Sequence, residues 1–401
     1  MTSKTTFEIE DKYMAPFFIK QKISIARGEG VYVWDEEGNK YIDFTAGWGV
    51  TCIGHGQKII ADALNEQAGK IIHNTNSGLT YSPARARLLS LMKEILPSNL
   101  THIFFSNSGA EANDAAIKLA RKVTGKLDVI STEKSFHGRT ISTASATGQS
   151  KHRDKFNPLM PNYRFIPYGD IDALANELDE NVAAMILEPI QGEGGVRVPA
   201  GNYLKEVDRL CKKSGSLLIV DEIQTGFCRT GPMFVSNLFD IKVDFLTMAK
   251  GIAGGFPFGA FAMSENVVKK LELGDHGGTY CGNPLGCAVS YAVIKYLIDN
   301  NISNHVEKMG NYLLNILNQW KEKYVDIIVD IRGAGLLLLI DFKDEKTAKS
   351  VIEESLKKRL FLTQTQGTGI RIFPALNIKK EELDEGLSVL NEAIETVIKL
   401  K

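Results

Sequence analysis

Short apolar runs separated by helical stretches dominate the middle of the chain. Between about residues 100 and 265 the order is HIFFS (102–106), a helical periodicity over 111–124, DVIST (128–132), AAMILEP (183–189), a helix over 202–213, LLIVDE (217–222), FLTMAK (245–250) and FGAFAM (258–263). Runs this short and this apolar fit strands buried on both faces, and their alternation with helices predicts an α/β fold with a mostly parallel sheet. In such a sheet the ligand sits outside the carboxyl ends of the strands, so the residues just after each run are where chemistry is expected. Ahead of this region, GVYVWDEEGNKYIDF (30–44) reads as a hairpin around DEEGN, and residues 57–97 show helical periodicity broken at HNTNSGLTYSP. Behind it, a long helical stretch over 284–323 leads to DIIVDIRGAGLLLLIDF, GIRIF and a last helix over 380–399. The expected organisation is an N-terminal segment of a small domain (1–56), a large domain (57–322) and a C-terminal small domain (323–401).

Charge and cysteine content narrow the classes of function. Lys plus Arg number 47 against 48 Asp plus Glu, so there is no basic field for nucleic acid or an anionic membrane. No apolar run approaches the ~20 residues of a membrane span, and MTSKTTFEIEDKYM at the start lacks an apolar signal core. Cys52, Cys211, Cys228, Cys281 and Cys287 are scattered, without a C-x-x-C pair, and read as reduced thiols. The expectation is a cytoplasmic protein without a metal site, nucleic-acid partner or membrane partner.

Three strand ends carry unusual chemistry. In FFSNSGAEANDAAIKLARKVTG (104–125) a strand turns through small residues into a helix, so Ser108, Gly109 and Ala110 offer backbone N–H groups at the positive end of the helix dipole, where a phosphate fits. LLIVDEIQTG (217–226) runs an apolar strand into Asp221 and Glu222, and FLTMAKGIAGG ends another on Lys250. Each feature alone has an ordinary reading: a Ser-capped helix, a paired acid, a solvated lysine. Together a phosphate cradle, a carboxylate and an amine match one cofactor, pyridoxal 5'-phosphate (PLP). Asp221 would face its protonated ring nitrogen, and Lys250 would bond its aldehyde covalently.

The chain also resembles a known family along nearly its whole length. GVYVWDEEGNKYIDFTAG, SNSGAEANDAAIKLAR, SFHGRT, EPIQGEGG, LLIVDEIQTGFCRTG, AKGIAGGFPFGA, HGGTYCGNPLGCA and GIRIFPALNI occur in the order seen in the class III (ω-amino acid) aminotransferases of PLP fold type I, and most resemble the acetylornithine and ornithine enzymes. The resemblance implies a seven-stranded, mostly parallel sheet in the large domain and a smaller α+β domain from the two chain ends. It implies backbone binding of the phosphate by Gly109 and Ala110, stacking of Phe136 on the cofactor ring, and contact of Gln224 with the ring hydroxyl. Thr279 would reach the phosphate of a neighbouring subunit, which implies a homodimer with shared sites. His137, beside Phe136, reads as a packed residue rather than a base.

Arg139 and Arg371 match positions that grip substrate carboxylates, a task suited to the guanidinium fork. Glu193 matches the acid that covers Arg371 while an ω-amine donor is bound. Other positions depart from the acetylornithine and ornithine enzymes. Phe18 lies about where ornithine enzymes carry Tyr, Trp48 where acetylornithine enzymes carry a small aliphatic residue, and Gly278 where many relatives carry Ser or Thr. The expected reaction moves a terminal amino group from an N-acylated diamine, N2-acetylornithine foremost, to 2-oxoglutarate, giving glutamate. A 4-aminobutyrate, ornithine or diamine aminotransferase, or a PLP-dependent aminomutase, is the alternative.

Overall fold

A computed structural model describes residues 2–74, 78–239 and 241–400. At its centre is a seven-stranded sheet in the spatial order Leu100–Ser106, Gly259–Ser264, Phe245–Met248, Leu217–Asp221, Val182–Leu187, Asp128–Thr132, Tyr163–Ile166. All strands run one way except Gly259–Ser264, which is antiparallel to both neighbours. The apolar runs account for this arrangement, because Val182–Leu187 and Gly259–Ser264 bury every residue. Along Leu217–Asp221, Ile219 joins one apolar cluster while Leu218 and Val220 join the other, the two-residue alternation of a strand covered on both faces.

Helix Gly109–Thr124 covers one face. Its Ala112, Ala115, Ala116, Leu119 and Ala120 share a cluster with Ile219, Phe245 and Phe261, small side chains leaving room for large ones. It stops at Gly125, whose φ of 68° is the left-handed cap that glycine adopts without strain.

The predicted hairpin forms as Tyr32–Asp35 and Lys40–Asp43, with Ile25–Glu29 added to its edge. Leu360–Phe361 pairs in parallel with Lys40–Asp43, so segments from both ends of the chain share one small sheet. A second small sheet holds Ile328–Ala334, Leu337–Phe342, Gly369–Ile372 and Thr363–Thr365. The helical stretch over 284–323 is two helices, Pro284–Asp299 and Ile302–Lys323. Asn301 breaks it with a φ of 49°, a conformation Asn tolerates better than most residues. The stretch over 57–97 is likewise Lys58–Ala68 and Pro83–Ile95; the break between them includes Thr75, Asn76 and Ser77, which lie outside the described residues. No described helix is long and apolar enough to cross a membrane, and all five cysteines are free and buried.

Candidate active site

At the carboxyl ends of the central strands lies a cavity of about 460 Å³. Ser108, Gly109, Ala110, Phe136, Arg139, Glu193, Asp221, Gln224 and Lys250 all line it, so one space gathers the phosphate cradle, the acid and the amine. One wall is the start of helix Gly109–Thr124. Ser108 Oγ caps it by accepting from Glu111 N at 3.2 Å, and Glu111 reaches back to Asn107 N at 2.8 Å. The N–H groups of Gly109 and Ala110 occupy the first turn, where no intrahelical acceptor exists. A Cβ on Gly109 would stand 2.6 Å from Ile223 Cδ1, so a larger residue here would push the Ile223 side chain aside.

Asp221 is 3% exposed and held from three sides. Its Oδ2 accepts from Asn113 Nδ2 and lies against His137 Nδ1, each at 2.7 Å, and its Oδ1 accepts from Ile223 N at 3.0 Å. A carboxylate offers about four acceptor positions, so these contacts orient it and still leave room for a donor from the cavity. His137 is buried, as expected, yet it serves the site as a partner of Asp221, and its Nε2 has no partner among the described residues.

Lys250 follows strand Phe245–Met248 with a φ of 44°. Left-handed backbone costs a non-glycine residue roughly 1–2 kcal/mol, and such strain is commonly kept at functional positions. Burial pushes its amine below the ordinary lysine range, with Glu193 pulling the other way. A larger neutral fraction makes it a better nucleophile and base.

Arg371, on strand Gly369–Ile372, is fully buried and donates from Nη1 to Glu193 Oε1 at 2.6 Å and to Gln224 Oε1 at 3.2 Å. Burial works to raise the Glu193 carboxyl, but the charges of Arg371 and Lys250 outweigh it and hold the group at about 2. The Arg371 Nε and Nη2 atoms are buried with no partner among the described residues. Arg371 does not line the cavity itself; Glu193 stands between them.

At the rim, the Arg139 guanidinium lies 5.6 Å from the Phe136 ring and 5.8 Å from that of Phe18, which is 71% exposed. Trp48 sits in an unusual turn in which Ala46, Gly47, Trp48 and Gly49 all have left-handed φ (44°, 54°, 64° and 77°). The turn brings the indole to 5.6 Å from the Arg371 guanidinium, and a Cβ on Gly49 would meet the Phe373 ring at 2.2 Å. Thr279 is exposed and lies outside the cavity lining. A Cβ on nearby Gly278 would come 2.3 Å from Cys281 Sγ, so a side chain there would require the thiol to move.

Sequence reasoning missed Glu188, Asn113 and Ile223. Glu188 ends its own apolar run, MILEP, with the same signal that marked Asp221. Its oxygens accept from Phe136 N at 3.0 Å and Gly192 N at 3.1 Å, tying the loop of the ring-stacking candidate to the loop that carries Glu193. Burial pushes the Glu188 carboxyl up to about 7 from a usual value of 4.5. Between those values the folded chain holds a proton that the unfolded chain has released, so this group's contribution to stability falls as pH rises through the window. Urea unfolding of the cofactor-free protein at about pH 5 and pH 8 should show a smaller loss for Glu188→Gln than for the unmodified chain; equal losses would contradict the assignment.

Comparison with known proteins agrees with this geometry. The family model described as aminotransferase class-III matches residues 15–394. An acetylornithine aminotransferase of Methanothermobacter thermautotrophicus is 44% identical over 394 residues, covering 98% of this chain and 99% of that protein. An acetylornithine aminotransferase structure from Elizabethkingia anophelis superposes with a TM-score of 0.87 at 32% identity, covering 99% of this chain and 100% of that one. An ornithine aminotransferase from Toxoplasma gondii, with partial occupancy of PLP at its active site, superposes at 0.94 and 31% identity, covering 99% of this chain and 95% of that one.

Proposed function

The chain belongs to the class III aminotransferases, and from that premise we propose that it carries PLP and moves the terminal amino group of an N-acylated diamine, N2-acetylornithine foremost, to 2-oxoglutarate. The observation that carries the cofactor reading is the single cavity shared by Lys250, Asp221 and the helix start at Gly109. The fit is chemical as well as spatial: first-turn N–H groups without acceptors suit a phosphate, and a buried, oriented carboxylate suits a protonated pyridine nitrogen. The names of the related enzymes support the choice of donor.

When bound, PLP supplies an aldehyde that captures the substrate amine and a ring that accepts electrons from the adjacent carbon. The chain supplies the rest. Gly109 and Ala110 would hold the phosphate, Phe136 and Ile223 would flank the ring, Gln224 would bind its hydroxyl, and Asp221 would keep its nitrogen protonated. Lys250 Nζ would take the proton from the amine-bearing carbon of the donor and deliver it to the carbon that was the cofactor's aldehyde, so that no proton is gained or lost. Arg139 holds the acid group of the donor. Glu193 covers Arg371 while the donor is present and leaves it for the acid end of 2-oxoglutarate, so one pocket serves two substrates whose carboxylates lie at different depths.

We further propose a homodimer in which Thr279, exposed on one subunit, completes the phosphate site of the other. The free, buried cysteines fit a reducing cytoplasm. A screen of amines against the isolated protein tests the reading. N2-acetylornithine is expected to convert the bound cofactor to its aminated form faster than ornithine, 4-aminobutyrate or simple diamines, and 2-oxoglutarate to reverse the change. Faster conversion by any of the others would move the donor assignment to that compound.

A further inference from the structure

Arg229 is 2% exposed and belongs to the loop that follows Asp221 and Gln224. The two residues before it, Phe227 and Cys228, both have left-handed φ (55° and 68°), so the chain accepts strain at two non-glycine positions just ahead of this side chain. Arg229 Nη1 donates to the backbone oxygens of Leu336 at 2.9 Å and Pro374 at 2.6 Å. Its Nη2 is buried and has no partner among the described residues, and no ion pair neutralises the charge there. An apolar side chain of similar volume would fill this space without a buried charge, but would leave the Leu336 and Pro374 oxygens without this donor. Packing alone therefore does not explain a guanidinium at this position.

Its neighbours do. Pro374 lies three residues after Arg371, and Leu336 lies in the turn between Ile328–Ala334 and Leu337–Phe342, the strand paired with that of Arg371. Both guanidiniums lie near the Phe373 ring, Arg229 at 4.3 Å and Arg371 at 5.0 Å. Two buried cations thus lie against one aromatic ring, and among the described residues only Arg371 has an ion-pair partner, Glu193. Burial pushes the Arg229 guanidinium down to about 9, and the charge of Arg371 acts in the same direction.

We propose that Arg229 is a positioning residue for Arg371: it ties the strand that carries the acid-binding guanidinium to the loop that follows Asp221, and adds a positive charge that a substrate carboxylate offsets. The inference rests on the reading of Arg371 as the clamp for the 2-oxo acid. It follows that losing Arg229 weakens use of the acid and spares the donor half of the cycle.

The test follows the two half-reactions of the holoenzyme separately, with N2-acetylornithine as donor and 2-oxoglutarate as acceptor, for the unmodified chain, Arg229→Lys, Arg229→Met and Arg371→Met. Arg229→Lys is expected to raise the half-saturating 2-oxoglutarate concentration roughly tenfold, and Arg229→Met further, with the donor half-reaction within about twofold. Equal weakening of both half-reactions, or of neither, overturns the proposal. Should Arg229→Met fail to fold, Arg229→Lys, which keeps the charge but not the fork, decides by the same split. Arg371→Met separates the two readings. If it leaves 2-oxoglutarate unaffected, the clamp assignment fails; if it weakens 2-oxoglutarate while both Arg229 variants leave it unchanged, only the role of Arg229 fails.

Discussion

Lys250→Ala is expected to lower turnover by a factor on the order of 10⁴ or more, because it removes the group proposed both to bond the cofactor and to move the proton. The fold should survive. The amine is costly to bury, as its lowered pKa records, and alanine inherits the same backbone conformation at a φ of 44°. Thermal melting within a few degrees of the unmodified chain, together with the loss of turnover, is the expected pair of results. Retention of turnover to within about tenfold would place the proton carrier elsewhere.

Asp221→Asn is expected to lose turnover by roughly 100-fold or more while the cofactor still binds, since an amide keeps the shape of the carboxylate but cannot balance a ring cation. Asp221→Ala should lose as much turnover and destabilise the chain as well. His137 Nδ1 would lose its partner in a buried setting, and a buried polar group left unmade costs about 1–3 kcal/mol. Asn113 is better protected because its Nδ2 also donates to the His137 carbonyl at 2.8 Å. Steady-state turnover with a 2-oxo acid acceptor measures the first effect and urea unfolding the second. Unchanged turnover in Asp221→Asn would remove the carboxylate from the mechanism.

The central sheet was legible because its strands are nearly pure apolar runs, and a run such as VAAMIL can only be buried on both faces. Asp221 and Lys250 were legible for a related reason: charge at the end of such a run needs an explanation. Glu188 carried the same signal in MILEP, but its partners, the N–H groups of Phe136 and Gly192, come from two loops that only the folded sheet brings together. Ile223 and Asn113 were invisible because each matters through a contact distant in sequence, with Gly109 and Asp221 respectively.

Arg229 had no signal of its own, since RTG in a glycine-flanked loop reads as a solvated turn. Its burial depends on Leu336 and Pro374, more than 100 positions later in the chain. Backbone conformation was the least legible level. The glycines of AGWG announce a turn, but nothing in the letters requires Trp48 to adopt a φ of 64°. The break of the long helix at Asn301 is a local choice of the same kind.

A covalent bond between Lys250 and the aldehyde of PLP, in the cavity that Asp221 also lines, is the centre of the proposed mechanism. Borohydride reduction of the protein saturated with PLP, followed by proteolysis and mass spectrometry, tests it most directly. The predicted result is one stable pyridoxyl modification, on the peptide containing Lys250 and on no other lysine. Modification at a different lysine, or none at all, would contradict it.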